Sequence, residues 1–482
     1  MNGDFSNPLC AIAFAEEPKT GNVSLELLAT VLARAVRLSP ESVTRAELAA
    51  GQAAAPRPVD RRTLPQATLS KVVKRLTRFG LLGEGTPRRH GKRHYVQLLH
   101  LGEGYVTAAA HVVVAEGLPV AVTTALCDIA GMTCHADEFD YLIDRGDARW
   151  SELAVTVHRH VGLLLERVSE RQGGVAPQLF GLGVELGAPV LNGTVTPIVD
   201  MTTFEPFPVD LQSELRQVFN GDFGEIPIVI ENDAAALAAL AVRERGYIDA
   251  DLAVVTVFQD GVGGGLVMDG RVRRGQAGRA MEVGHLVVDC PPGWPADARS
   301  TASLRWNSAL EPAKCPCGRR GHVDGISTPA RIRKALEIPG ADPWEVYTHA
   351  GAALGRALSN VCNVVAPSLL IVYVPSEIKD APEGTAAAEY VKAADREVHM
   401  TFSADVPGAT VVRFLALPDD PRDIALRGAR GAAVCVLDMV VERALTDETP
   451  AALPSNASSI PDDVSAEMSV ILTAARVADA RG

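Results

Sequence analysis

No apolar run in this chain approaches the about 20 residues that a membrane-crossing helix needs. The densest runs are Leu252–Phe258 and Ser368–Val374. A membrane partner is therefore not expected. The first residues carry Asp4 and no early Lys or Arg, which is not the pattern of a signal peptide. Cysteine is sparse, with eight residues in 482, mostly scattered. With one tight pair at Cys315 and Cys317, that pattern suits a reducing cytosol and a metal site better than a disulfide framework. Internal repeats at solenoid periods are also missing, which excludes a stacked-repeat architecture.

A chain of 482 residues with 47% apolar residues is too long for one core, so two or three domains are expected. The charge is uneven. Residues 1–100 hold 15 Lys and Arg against 8 Asp and Glu, a net of +7, while the whole chain carries -13. A basic head on an acidic body predicts that only the head meets a polyanion.

The head reads as three helices and a hairpin. Leu25, Leu28, Leu32, Ala35 and Val36 share one helical face. Thr44 and Glu47 form a capping-box pattern that opens a short second helix. A third helix begins near Pro65 on the stripe Leu69, Val72, Val73, Leu76 and Phe79, and Gly80 ends it. Gln66, Thr68, Ser70, Lys71, Lys74, Arg75 and Arg78 lie largely off that stripe. Short polar groups near a helix start can read base edges, and cations further along can neutralise phosphates. Arg88, Arg89, Lys92 and Arg93 surround Gly91 in the hairpin that follows, as in a basic wing. The bland alternative is a small helical cap with a solvated face. Residues 51–63 lengthen the turn between the second and third helices beyond the usual few residues.

From Tyr105 onward strand-like and helical runs alternate, which predicts an α/β body. Strands are expected at Tyr105–Val114, Val120–Leu126, Leu179–Val184, Ile226–Ile230, Leu252–Phe258, Gly265–Val267 and Leu369–Val374. Helices are expected at Ser151–Arg171, Ala234–Gly246, Ala350–Val364 and Ile424–Arg443, with a further one over Val464–Ala480.

Three motifs carry chemistry. Glu231, Asn232 and Asp233 end an apolar strand ahead of an Ala-rich helix. Ligands of α/β sheets meet such strand ends, yet Asn and Asp are also ideal helix caps; both readings stay open. Asp260 to Gly265 form a Gly-rich link that allows close backbone approach, and a plain hairpin turn explains it as well. His285 with Cys315, Cys317 and His322 makes a Cys2His2 set that suits one structural zinc, against the alternative of buried thiols beside surface histidines.

With these motifs in this order, the chain resembles the ROK family of bacterial repressors and sugar kinases, in particular its xylose- and N-acetylglucosamine-type repressors. The Glu-Asn-Asp run, the Gly-rich turn, Glu282 to His285, the Cys-x-Cys-Gly element and the later Gly351 and Gly431 helices all contribute, over roughly residues 22–440. The resemblance implies an N-terminal winged helix-turn-helix (22–100), a two-lobed actin-like, hexokinase-like (RNase H-like) α/β domain (101–445), and a tail (446–482). It implies that Asn232, Asp233, Glu282, His285 and Asp324 contact sugar hydroxyls, with Asp233 at the general-base position of the family's kinases. It implies that His285, Cys315, Cys317 and His322 hold zinc; the stretch between His285 and Cys315, longer than in typical members, adds Cys290 as a spare candidate ligand.

Several positions depart from the family's kinases. Thr107 to His111 replace the phosphate-wrapping Asp-x-Gly-Gly-Thr. Asp260 stands where kinases carry Thr, and Tyr373 to Ser376 replace a Gly-Gly pair. Phosphoryl transfer depends on positioning those phosphates, so the reading is that the chain is not an enzyme, uses no ATP, and keeps Asp233 as a vestige. The expected function is a cytoplasmic, nucleoid-bound transcription regulator, a repressor controlled by a sugar or sugar phosphate. It would act as a homodimer or homotetramer on a double-stranded operator. The alternatives are an ATP-dependent sugar kinase and a zinc-stabilised adaptor.

Overall fold

The computed structural model describes residues 23–38, 43–50, 63–86, 88–90, 94–96, 98–115, 117–142, 150–196, 208–244, 251–288, 317–319, 321–401 and 409–446, with residues 8, 9, 12 and 315 besides. The predicted terminal helix and tail, the loop at 51–62, and Cys290 lie outside the described residues.

Three helices open the chain: α1 (Leu25–Leu38), α2 (Arg45–Ala49) and α3 (Gln66–Arg78). The stub β1 (Val43–Thr44) precedes α2, and the capping box is present, with Thr44 and Glu47 each bonding the other's backbone N–H. After α3 come β2 (Leu82–Glu84), β3 (Arg88–His90), β4 (His94–Val96) and β5 (Leu98–Leu101). β5 pairs with both β1 and β2, and β3 pairs with β4. The apolar stripes of α1 and α3 face each other, because Leu28, Leu32, Leu69, Val73 and Leu76 are all buried in one cluster.

The body contains two five-stranded sheets of the same pattern. The first is built from β6 (Tyr105–Ala115), β7 (Leu118–Cys127), β8 (Cys134–Leu142), β9 (Gln178–Leu186) and, after the short strands β10 (Val190–Leu191), β11 (Thr194–Val195) and β12 (Val209–Asp210), β13 (Ile228–Asn232). Its order is β13-β9-β6-β7-β8, with β6, β9 and β13 parallel and β7 and β8 antiparallel to their neighbours. The second comprises β14 (Leu252–Val257), β15 (Val262–Met268), β16 (Arg271–Val272), β17 (Leu369–Pro375) and β18 (Val411–Leu417), in the order β16-β15-β14-β17-β18. Each sheet is a three-strand meander extended by two parallel strands, which is the repeated pattern of the actin-like and hexokinase-like fold.

Helices layer these sheets. Outside the first lie α4 (Trp150–Arg171) and α5 (Leu211–Phe219). Between the sheets run α6 (Asp233–Glu244) and, at the end of the described chain, α11 (Pro421–Thr446). Outside the second lie α7 (Pro329–Leu336), α8 (Pro343–Val365), the short α9 (Ser376–Lys379) and α10 (Ala386–Thr401). Among the described residues, no helix is long and apolar enough to cross a membrane.

The Gly-rich link has a packing role. Gly263, Gly264 and Gly265 lie within β15 itself, not in a free turn. A side chain on Gly265 would collide with the first turn of α6 at Ala234. The glycines therefore let α6, headed by Asp233, press directly onto the second sheet.

Candidate functional site

Asp233 is the first residue of α6, at the carboxyl end of β13. The backbone N–H of Ala234 donates to its Oδ1 at 2.7 Å. Burial and the nearby Glu185 carboxylate push its pKa from an ordinary 3.8 up to about 7. Asn232 works as a cap: its Oδ1 accepts from the N–H groups of Ala234 and Ala235, at 3.1 and 3.3 Å, and its Nδ2 donates to the Ala188 carbonyl. Asn232 thus holds the helix start, the capping reading of this run, while Asp233 is the first residue of the helix itself.

Glu231 points elsewhere. Only 1% exposed, it is bound by Arg274, whose Nε and Nη2 lie 2.7 and 2.5 Å from Oε2. Burial still raises the Glu231 carboxyl above its usual range, against the pull of Arg274. The pair ties the strand bearing Asn232 to the segment after β16. Breaking a buried pair costs about 3–5 kcal/mol. The Arg274 side chain is 41% exposed, so admitted water lowers the expected loss for Arg274→Met to about 2 kcal/mol. Urea unfolding checks this, and the Glu231→Gln, Arg274→Met double variant should recover most of the loss.

The other expected sugar contacts lie near enough to Asp233 or to one another to interact electrostatically. Glu282 and His285 sit at a 3-10 turn over Val283–His285, and Asp324 in another over Val323–Gly325. Glu282 raises the pKa of both Asp233 and Asp324, and His285 opposes it at Asp324. Asp324 is partly committed, since its Oδ1 accepts from the Val262 N–H at 2.7 Å.

Sequence reasoning missed one pair. His111 of β6 and Glu185 of β9 stand opposite each other in the parallel register and are bonded Nδ1 to Oε1. Glu185 is fully buried, and its Oε2 has no partner among the described residues. α11 passes over this pair at Gly428, where any side chain would strike the Glu185 carboxylate. An acid inside an otherwise apolar strand was the available signal.

The structure brings His285, Cys315, Cys317 and His322 together, their ligand atoms within 4.8 Å of one another. His285 Nδ1 is 3.4 Å from Cys315 Sγ, and His322 Nδ1 is 3.2 Å from Cys317 Sγ. The His285 Nε2 edge turns toward Glu282 at 3.8 Å, so one ring faces both the cluster and the crevice. Burial, with His285 and Arg319 nearby, lowers the His322 pKa and keeps the ring neutral, the form that binds a metal. Two sulfurs and two imidazole nitrogens at this spacing could hold a metal ion.

On α3, Gln66, Lys71, Lys74 and Arg78 are exposed, and Thr68 and Ser70 are partly so. Arg75 is a correction: it is 1% exposed, and its Nε donates to the Ile12 carbonyl at 2.7 Å. Ile12 covers that side of the helix, so Arg75 is a structural tie and not a nucleic-acid contact. Arg88 and Arg89 lie in β3, whereas Lys92 and Arg93 are outside the described residues.

Residues 156–372 match the model of the ROK family. Among curated proteins, the chain is 29% identical over 181 residues to N-acetylmannosamine kinase of Vibrio cholerae serotype O1, covering 38% of this chain and 53% of the relative. It is 26% identical over 161 residues to a glucokinase of Halalkalibacterium halodurans, covering 31% and 48%. The chain thus spans about half the length of the curated relatives it matches. The crystal structure of a ROK family transcriptional regulator, described as a homolog of the E. coli MLC protein, superposes with a TM-score of 0.55 at 15% identity. It covers 88% of this chain and 99% of that one, and at this identity the likeness is one of fold.

These kinases overturn the expectation that the chain is not an enzyme, and the exclusion of ATP falls with it. Thr107 to His111 lie inside the continuous strand β6, and Tyr373 is buried in β17. Those departures leave the Asp233 carboxylate in place at the end of β13. Residues 156–372 of this chain are therefore a ROK family domain.

Proposed function

We propose that this chain is a DNA-binding regulator, acting as a repressor, whose hold on its operator changes when a sugar or sugar derivative enters the crevice at Asp233. The carrying observation is the unit of three helices and a small sheet ahead of the ROK domain, with Gln66, Lys71, Lys74 and Arg78 exposed along α3. In this reading residues 22–100 are a winged helix-turn-helix, with α3 in the major groove and Arg88, Arg89, Lys92 and Arg93 on the wing. Residues 101–445 sense the ligand through Asp233, Glu282, His285 and Asp324, with Asn232 fixing the helix that carries Asp233. Residues 446–482 are a tail. One zinc at His285, Cys315, Cys317 and His322 holds the turn bearing Asp324, and His285 links metal to sugar. A sugar shifts DNA affinity only through unequal affinity for two arrangements of the protein. Paired heads on a palindrome call for a homodimer or homotetramer. The 88% coverage by the regulator's fold supports a head joined to a ROK body.

Selection from random DNA with metal-loaded protein tests this reading. A palindromic site is the expected product. Lys71→Ala with Lys74→Ala should then weaken binding and lower the slope of log affinity against log salt by about 2, one for each phosphate that is no longer neutralised. No enriched site, or an unchanged slope, defeats the DNA-binding reading.

A second reading, ATP-dependent phosphorylation of a hexose or N-acylated hexosamine, is favoured by Asp233. Its pKa of about 7 suits a general base, and the kinases among the relatives agree. A phosphorylation assay separates the two readings.

A further inference from the structure

A second pair of thiols lies far from the Cys2His2 cluster in sequence. Cys127 ends β7 and Cys134 opens β8, and the two stand directly opposite each other in the antiparallel register. Their sulfurs are 2.7 Å apart, with Cys127 fully buried and Cys134 partly exposed. Opposed residues on antiparallel strands hold their Cα atoms about 4.5–5.5 Å apart, inside the about 4.4–6.8 Å that a disulfide bridges.

The turn between the two cysteines is fixed in place. The Asp128 carboxylate accepts from the N–H groups of Ala130, Met132 and Thr133, at 2.9, 3.1 and 3.0 Å. Arg430 of α11 donates from Nε to the Gly131 carbonyl at 3.0 Å. Ile129 and Ala130 are buried in the same apolar cluster as α1, α3 and the second half of α11. The cysteines therefore flank the point where the N-terminal helices rest on the body.

We infer that Cys127 and Cys134 form a reversible thiol–disulfide site at this joint, oxidised by a low-molecular-weight disulfide such as oxidised glutathione. The partly exposed Cys134 attacks as its thiolate, forming a mixed disulfide and expelling one thiolate of the oxidant. Cys127 then attacks the Cys134 sulfur and expels the second. One S–S bond forms in the protein and one breaks in the oxidant. The two electrons and both thiol protons end on the two released small thiols. The adjacent Cys134 sulfur and burial raise the Cys127 thiol, which assigns the first attack to Cys134.

The test uses the full-length, metal-loaded protein. It is exposed to oxidised glutathione, alkylated, and digested with trypsin. The tryptic peptide over residues 94–145 holds both cysteines and no other. The expected result is a peptide lighter by two hydrogens and closed to alkylation, with both thiols restored by dithiothreitol. Cys134→Ser should leave Cys127 an unlinked thiol under the same treatment. A peptide that stays fully alkylated, or that carries glutathione on Cys134 with no internal bond, overturns the inference.

Discussion

Replacing Cys315 by Ser is expected to abolish metal retention at the proposed zinc site and to lower the stability of the segment around Asp324. Cys315 is 2% exposed, and without a cation, burial, Asp324 and Cys317 push its thiol well above the usual range. A dication reverses that preference, because a coordinating thiol gives up its proton outright. Structural zinc in finger peptides contributes about 10–16 kcal/mol at neutral pH, so losing one of four ligands is expected to reduce retention far more than a surface change would. Zinc per chain, measured after dialysis, should fall from one equivalent toward none, and the melting temperature should fall with it. Acidification should act in the same direction, since both thiolates and both neutral imidazoles take up protons in competition with the metal. A Cys315→Ser protein that keeps its full metal complement refutes the ligand set.

Asp233→Asn is expected to have the second largest effect, and its pH dependence separates structural from chemical roles. The folded pKa of about 7 stands above the ordinary 3.8. The neutral form thus favours the fold at low pH, and this contribution is lost as pH rises from about 4 through about 7, levelling off above. The wild-type melting temperature should decline over that window relative to Asp233→Asn, in which the decline is absent. The chemical requirement runs the other way. A general base must be ionised, so phosphoryl transfer, if assayed, should rise through about pH 7 and drop about 10²–10⁴-fold in the variant. A melting profile identical in both proteins would mean that Asp233 is not held in a water-poor crevice at all.

Local chemistry carried much of this molecule. The Thr44–Glu47 box, the stripe of α3, and the strand runs that became β6, β9, β14 and β17 were legible because each depends on residues a few positions apart. The strands β8 and β18 and the helices α5 and α10 were not recognised; β8 and β18 are sheet-edge strands with weak apolar patterns. The Cys-x-Cys element was visible for the same local reason, and His285 was grouped with it because two thiolates and two imidazoles make a zinc-type ligand set.

What the sequence by itself determined is therefore the alternation of strands and helices, the charge division between head and body, and the four residues gathered at the metal cluster. Only the tertiary structure decided the fate of side chains whose neighbours lie far away along the chain. Arg75 flanks an apolar stripe and reads as a surface cation until the backbone of Ile12 closes over it. His111 and Glu185 are 74 residues apart and meet only through the register of β6 on β9. Cys127 and Cys134 read as scattered thiols until the β7–β8 register sets them face to face. In each case the deciding quantity is which surface a distant segment covers, and local periodicity does not encode that.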